Sequence, residues 1–368
     1  MSSWRPAMSW TGEWSIPPLL EQPVTEHERG AIVALSQAGT GPKQLARMFE
    51  QGSSLAEVLG TFRKRASNAL AHLRSLQTRA VLPCDDEYPK LLKQTAAPPL
   101  LLYVRGRPLD SLPPCVAIVG ARACTSGAAR FAHRIGEAVA SAGFTVVSGL
   151  ARGIDSSAHA GAVEGGTTIG VLGTGIDVCY PKQHRDLVDR VAMSGAVVTE
   201  FAPGVGPREW HFPARNRVIA GVSFAVVAVE AALRSGALIT VAFAEDHDRE
   251  VYACITGPEN PAGEGIRALI KDGAHLVVDA DDLVTDLIEL AEQQGYVRPG
   301  EVRPRKNDLP VELGGVQRAV YEAVTEGTTV EDVIAVTSLD LSIVAVALSE
   351  LELGGLLSCE FGRWRRVT

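Results

Sequence analysis

Apolar and polar positions change rhythm twice along the chain. From about Thr25 to Leu82 the apolar residues fall at helical spacing, in "HERGAIVALSQA", "GPKQLARMFEQ" and "SLAEVLGTFRKRASNALAHLRSLQ". A Pro-rich, extended stretch, 83–112, follows. Then short continuous apolar runs alternate with helical segments: 115–120, 144–149, 167–173, 195–200, 224–231, 249–257 and 274–279. Continuous apolar strands separated by helices predict a parallel sheet covered on both faces, and so a doubly wound α/β domain. Residues 293–310 are polar, Pro-bearing and non-periodic, as in a linker. From Val311 three helical patterns precede "LLSCEFGRWRRV", a hairpin around Gly362, which together predict a small winged helix.

The expected division is a flexible lead at 1–23, a helical domain at 24–82, an α/β domain at 83–292, a linker at 293–310 and a winged-helix-like domain at 311–368. The helical domain resembles a helix-hairpin-helix at one joint. Its joint "AGTGPKQLARMF" is either an ordinary turn with Pro42 at the first helical position or a glycine turn that offers amides to a phosphate. Hydrophobic residues make up 46% of the 368, enough for a large core. The six cysteines are scattered without a CxxC pair, which predicts free thiols in a reducing compartment. No apolar run approaches the length of a bilayer span, and the N-terminus lacks a signal-type apolar segment. A cytoplasmic protein without membrane contact is expected.

Charge changes this picture through its distribution. The net charge of −8 disfavours nucleic acid, yet residues 24–80 hold 8 basic and 4 acidic side chains, and 110–220 hold 10 and 9. The acid is concentrated at 221–292, with 14 acidic and 4 basic, and at 309–368, with 9 and 4. A basic site in the first half of the α/β region remains compatible with the total, whereas the acidic C-terminal domain is a poor duplex binder.

In open α/β sheets, ligands sit beyond the carboxyl ends of the strands. There the sequence places "GAR" (Gly120 to Arg122), "SGLARGID" (Ser148 to Asp155), "LGTGIDVCYPK" (Leu172 to Lys182), "HFPARNR" (His211 to Arg217) and "EAALRSGALIT" (Glu230 to Thr240). Glycine permits close backbone approach and helix N-termini attract anions, so these loops together predict a phosphate-holding groove. GxGxxG and Walker A are both absent, which argues against dinucleotide and P-loop chemistry; no cofactor or metal is expected. The candidate anion ligands are Arg122, Lys182, Arg215 and Arg217. Arg215 and Arg217 are two apart and cannot share a helix face; one is expected to meet a ligand while the other anchors to a carboxylate such as Glu230 or Asp155. His159 is read as a packed residue, and no catalytic set is convincing.

Taken together, "AIVGAR", "VVSGLARGIDSSAHAGA", "VLGTGIDVCYPK", "EFAPG", "FPARNRVIAGVS", "VVAVEAALRSGALITVAFA" and "REVYACITGP" resemble, in order and spacing, the DNA-processing protein A (DprA/Smf) family over about residues 83–280. The resemblance implies an extended Rossmann-like fold, flanked by an N-terminal helical domain of sterile-alpha-motif type and a C-terminal winged helix, that binds single-stranded DNA and loads a RecA-type recombinase in natural transformation, as a homodimer and without catalysis. It implies DNA contacts from Gly120, Arg122, Ser148, Gly149, Gly173, Gly175, Lys182, Phe212, Arg215, Asn216 and Arg217. Phe212 and Tyr180 are the nearest stacking candidates, and the acidic stretch 221–292 is an expected recombinase or dimer surface. "GAR" lacks the hydroxyl of the commoner Gly-Ser/Thr-Arg, and Arg267 and "EDHDRE" also depart from the pattern. The competing expectation is a nucleotide-acting, phosphoribohydrolase-like enzyme on a related fold; "SGALIT" shares its turn but has no glutamate until Glu245.

Overall fold

The computed structural model describes residues 15–17, 20–40, 44, 47–48, 62–254, 260–296, 315–325, 328–337, 339–353, 356–360 and 363–366. The flexible lead up to 14, the glycine turn at Gly41–Pro42 and the linker from 297 lie outside them. Two compact units are present, Met1–Tyr296 and Val297–Thr368.

In the first unit the apolar runs form one nine-stranded sheet. Its strands are β1 (Thr78–Val81), β2 (Leu102–Gly106), β3 (Cys115–Val119), β4 (Thr145–Ser148), β5 (Thr167–Val171), β6 (Ala196–Thr199), β7 (Ala225–Ala228), β8 (Glu250–Cys254) and β9 (His275–Val277), in the order β1-β2-β6-β5-β4-β3-β7-β8-β9. Strands β3 to β9 pair in parallel, and they are the seven runs read from the sequence. β4, β6 and β7 are buried at every residue, as strands covered on both faces must be.

Two strands at one end of the sheet, edge strand β1 and its neighbour β2, depart from the sequence reading. The helical pattern was expected to run to Leu82, but it stops at Ser75; Gln77 turns at φ 52, and β1 then pairs antiparallel with β2, which pairs antiparallel with β6. Four or five residues are too few to show a period, so partners distant in sequence decide these strands.

Helices α1 (Glu26–Gln37) and α2 (Arg63–Ser75) share a core with β2 and with Leu150 and Leu172. Thr25 and Glu28 close a capping box on α1. One face of the parallel sheet carries α3 (Ser126–Ser141), α4 (Ile154–Gly165) and, further along the chain, Leu283, Leu287 and Ala291. α5 (Arg185–Ser194) leads into β6 and packs with the α1–α2 core. The other face carries α6 (His211–Val222), α7 (Gly236–Asp246) and α8 (Glu264–Lys271). The chain leaves β3 in one direction for β4 to β6 and returns on its other side for β7 to β9, so the β3–β7 boundary is the switch point where such sheets bind ligands.

The first unit closes with α9 (Ala280–Gln293). The second holds α10 (Gly315–Ala323), α11 (Val330–Thr337), α12 (Leu341–Leu353) and the hairpin of β10 (Leu357–Glu360) with β11 (Arg363–Arg366), joined around Val320, Val333, Leu348 and Trp364. Among the described residues no single helix is long and apolar enough to cross a membrane.

Candidate nucleic-acid interface

A groove of about 740 Å³ opens at the switch point. The loop after β3 supplies Gly120 to Ala123, α4 supplies Asp155, and α6 supplies Phe212, Arg215 and Asn216. The start of α7 supplies Arg234 to Ala237, so four strand ends converge on one cavity. Ser235 caps α7, leaving the positive end of that helix on the groove wall.

Buried carboxylates fix this loop assembly. Glu230, 1% exposed at the end of β7, accepts from the Thr125 amide at 3.1 Å and its hydroxyl at 2.9 Å, while the Ala121 amide donates to the Glu230 carbonyl at 2.6 Å. Asp155 accepts from the amides of Gly149 at 3.2 Å and Ala151 at 3.4 Å.

The "RNR" segment lies in the second turn of α6, and all three residues are buried. Arg217 pairs with Glu200 and donates to the Ala97 carbonyl at 2.7 Å, so its carboxylate partner is one that follows β6 rather than Glu230 or Asp155. Both side chains of this pair are over nine-tenths buried. Arg215 points the other way. It donates to the carbonyls of Gly149, at 2.7 Å, and Val171, which end β4 and β5, and its Nε reaches the Asn216 Oδ1 at 3.2 Å. Asn216 in turn donates to the Gly236 carbonyl at 3.0 Å. Burial lowers the Arg215 guanidinium to about 10, opposed by the nearby charge of Asp155; the same burial raises the Asp155 carboxyl. Arg215 is thus a positive charge set in the groove floor, and Arg217 a clamp behind it.

Other sequence-selected residues occupy different levels. Arg122 and Lys182 are exposed. The Arg122 guanidinium lies 5.0 Å over the Phe212 ring, and Phe212 lies 5.5 Å from the Tyr180 ring. Ser148 is fully buried, its hydroxyl donating to the Ile118 carbonyl at 2.6 Å. The Gly149 amide is taken by Asp155 and that of Gly175 by the Val205 carbonyl. These glycines make room for packing: a Cβ on Gly149 would sit 2.3 Å from the Arg215 guanidinium, one on Gly173 2.9 Å from Phe212, and one on Gly120 2.5 Å from Ile154. His159 is fully buried behind the site, with Nδ1 2.7 Å from the Thr168 hydroxyl; burial pushes its pKa down to about 3.

The electrostatic contrast is in the partners. Arg29, Arg79, Arg105 and Arg217 have carboxylates, whereas among the described residues none pairs with Arg122, Lys182, Arg208 or Arg234; Arg122 and Arg234 line the groove, and Lys182 and Arg208 lie within two residues along the chain of its lining residues Tyr180 and Glu209. One acid, exposed Glu209, stands on the rim. Sequence reasoning missed Trp210, which is 53% exposed and packs edge-on against Phe201 and His211. Its position before "HFPARNR" was visible, but that its ring faces solvent was not.

The family model for DNA recombination-mediator protein A matches residues 79–288. Protein Smf of Synechocystis is 34% identical over 92% of this chain and 99% of its own length. DNA processing protein DprA of Streptococcus pneumoniae is 41% identical over 55% of this chain and 72% of its length. The X-ray structure of the Streptococcus pneumoniae protein superposes with a TM-score of 0.61 at 34% identity, covering 72% of this chain and 99% of that one. DNA processing protein A of Helicobacter pylori, described for its unique single-stranded DNA binding mode, shares the fold with a TM-score of 0.54 at 24% identity, over 60% of this chain and 98% of that one.

Proposed function

Because the chain belongs to the DNA recombination-mediator protein A family, we propose that it binds single-stranded DNA along the carboxyl edge of its parallel sheet and passes the strand to a RecA-type recombinase in transformation or recombination. The observation that carries the reading is the pair of exposed cations without carboxylate partners, Arg122 and Arg234, lining a groove floored by buried Arg215, with exposed Lys182 and Arg208 within two residues along the chain of its lining residues Tyr180 and Glu209. Unpaired surface cations at a helix N-terminus repel each other and gain from a polyanion, while the buried floor charge favours an anion without moving. Phe212, Tyr180 and Trp210 offer ring faces to bases, which suits an unpaired strand. The role is one of binding rather than catalysis, with His159 packed out of the groove.

Four phosphate contacts correspond to a log–log salt slope of about −3 for single strands, and each Arg122→Ala or Lys182→Ala change removes about 0.7 of it. Mobility shift with oligo-dT across a salt series measures this. A wild-type slope near zero, or variants indistinguishable from wild type, refutes the groove.

The finer parts of the reading have their own supports. A homodimer is favoured by edge strand β9, where Leu276 and Val278 are exposed beside unpaired backbone; sedimentation showing only monomer at micromolar concentration removes it. The recombinase surface is sought on the acidic side, where Glu245 and Asp246 are exposed; pull-down of a RecA-type protein unchanged by charge reversal at both excludes that face. The second unit, with three helices and a hairpin, fits a small winged helix whose acid suits protein contact over duplex.

A further inference from the structure

Two cationic side chains stand apart from the groove already described. α3 and α4 touch backbone to backbone: a Cβ on Gly136 would lie 2.2 Å from the Ala158 carbonyl oxygen, and one on Gly161 2.0 Å from that of His133. Beside this contact lies a second groove of about 800 Å³, lined by Gly127, Arg130, His133, Arg134, Ser156 and Ser157. α3 and α4 follow β3 and β4, so their N-termini stand on the same sheet edge as the first groove. The linings adjoin along the chain, since Asp155 borders the first cavity and Ser156 the second.

Arg130 and Arg134 are exposed one turn apart on the same helix face, where like charges repel. Among the described residues no carboxylate pairs with either; Arg134 lies 5.5 Å over the Phe131 ring. The carboxylates nearby mark an end instead: His133 Nε2 is 3.5 Å from Glu164, with exposed Glu137 alongside. A polyanion running from Arg122 along the exposed face of α3 therefore meets positive charge as far as Arg134 and negative charge beyond it.

We infer that this second groove holds the phosphates of the strand as it leaves the first, so that Arg130 and Arg134 set how many nucleotides one chain engages. This rests on the single-stranded DNA reading above. The footprint is longer than the switch-point groove alone provides, and its added part is purely a backbone contact, indifferent to base.

The test compares the full chain with the Arg130→Ala/Arg134→Ala and Arg130→Lys/Arg134→Lys variants, using oligo-dT of about 6 and about 20 nucleotides, lengths that bracket a common single-domain footprint. Losing two phosphate contacts lowers the salt slope for the long oligonucleotide by about 1.4, so its loss of affinity from about 50 to about 200 mM salt shrinks about sevenfold. The short oligonucleotide binds the alanine variant like wild type, which also shows that the site is folded, and the lysine variant keeps the long-oligonucleotide slope. An unchanged slope for the long oligonucleotide overturns the inference, as does equal weakening at both lengths. Failure of the wild type to bind either length overturns the DNA reading itself, and this inference with it.

Discussion

Replacing Arg217 separates the clamp from the groove. In Arg217→Met the Glu200 carboxylate, buried with its partner, loses the guanidinium that compensates its charge. Breaking one side of a buried ion pair costs about 3–5 kcal/mol, which for a unit of this size lowers the melting midpoint by roughly 5–8 °C. The pH dependence carries the sign. Burial already raises the Glu200 carboxyl above its ordinary value of 4.5, and Arg217 is the group that lowers it; without Arg217 it rises further. A carboxyl whose folded pKa exceeds its unfolded one binds more protons when folded, so stability falls as pH rises above the unfolded value. The variant's deficit is therefore small near pH 4 and full near about pH 8. Glu200→Leu/Arg217→Met removes both charges and recovers most of the loss. Thermal and urea unfolding at the two pH values measure these effects, and oligo-dT affinity well below the midpoint stays at the wild-type level. A variant as stable as wild type at pH 8, or one with a pH-independent deficit, refutes the clamp; a specific loss of DNA affinity in the folded variant refutes the assignment of Arg217 to the scaffold.

Gly149→Ala drives a Cβ into the guanidinium that Gly149 and Val171 hold, so overpacking of about 1–3 kcal/mol is expected with displacement of Arg215, and a crystal structure of the variant with Arg215 unmoved contradicts it. Trp210→Ala removes an exposed ring face and weakens oligo-dT binding by about tenfold, the loss of roughly one stacked base, while an abasic oligonucleotide of the same length is bound as before; equal effects on both mean that Trp210 does not stack.

Much of the fold was legible because burial on both faces leaves a continuous apolar run, and all seven parallel strands carry one. β1 and β2 were not, since short antiparallel strands at the end of the sheet are defined by their partners rather than by their own pattern. The site was legible as a set of loops. Glycines and cations after successive strand ends pointed to one edge, and the packed character of His159 was foreseen.

The sequence by itself determined the alternating layers, the strand ends where ligand groups collect and the oddness of two arginines around Asn216. Only the tertiary structure decided what those arginines do. A helix turns about 100° per residue, so positions two apart point to opposite sides, and which side holds a carboxylate depends on segments remote in sequence. Glu200 arrives from β6 to meet Arg217; the carbonyls ending β4 and β5 arrive to hold Arg215 in the groove floor. Likewise, Arg130 and Arg134 are ordinary surface arginines in sequence, and they line a groove with Ser156 and Ser157 only because β3 and β4 lie side by side and launch α3 and α4 from the same end of the sheet.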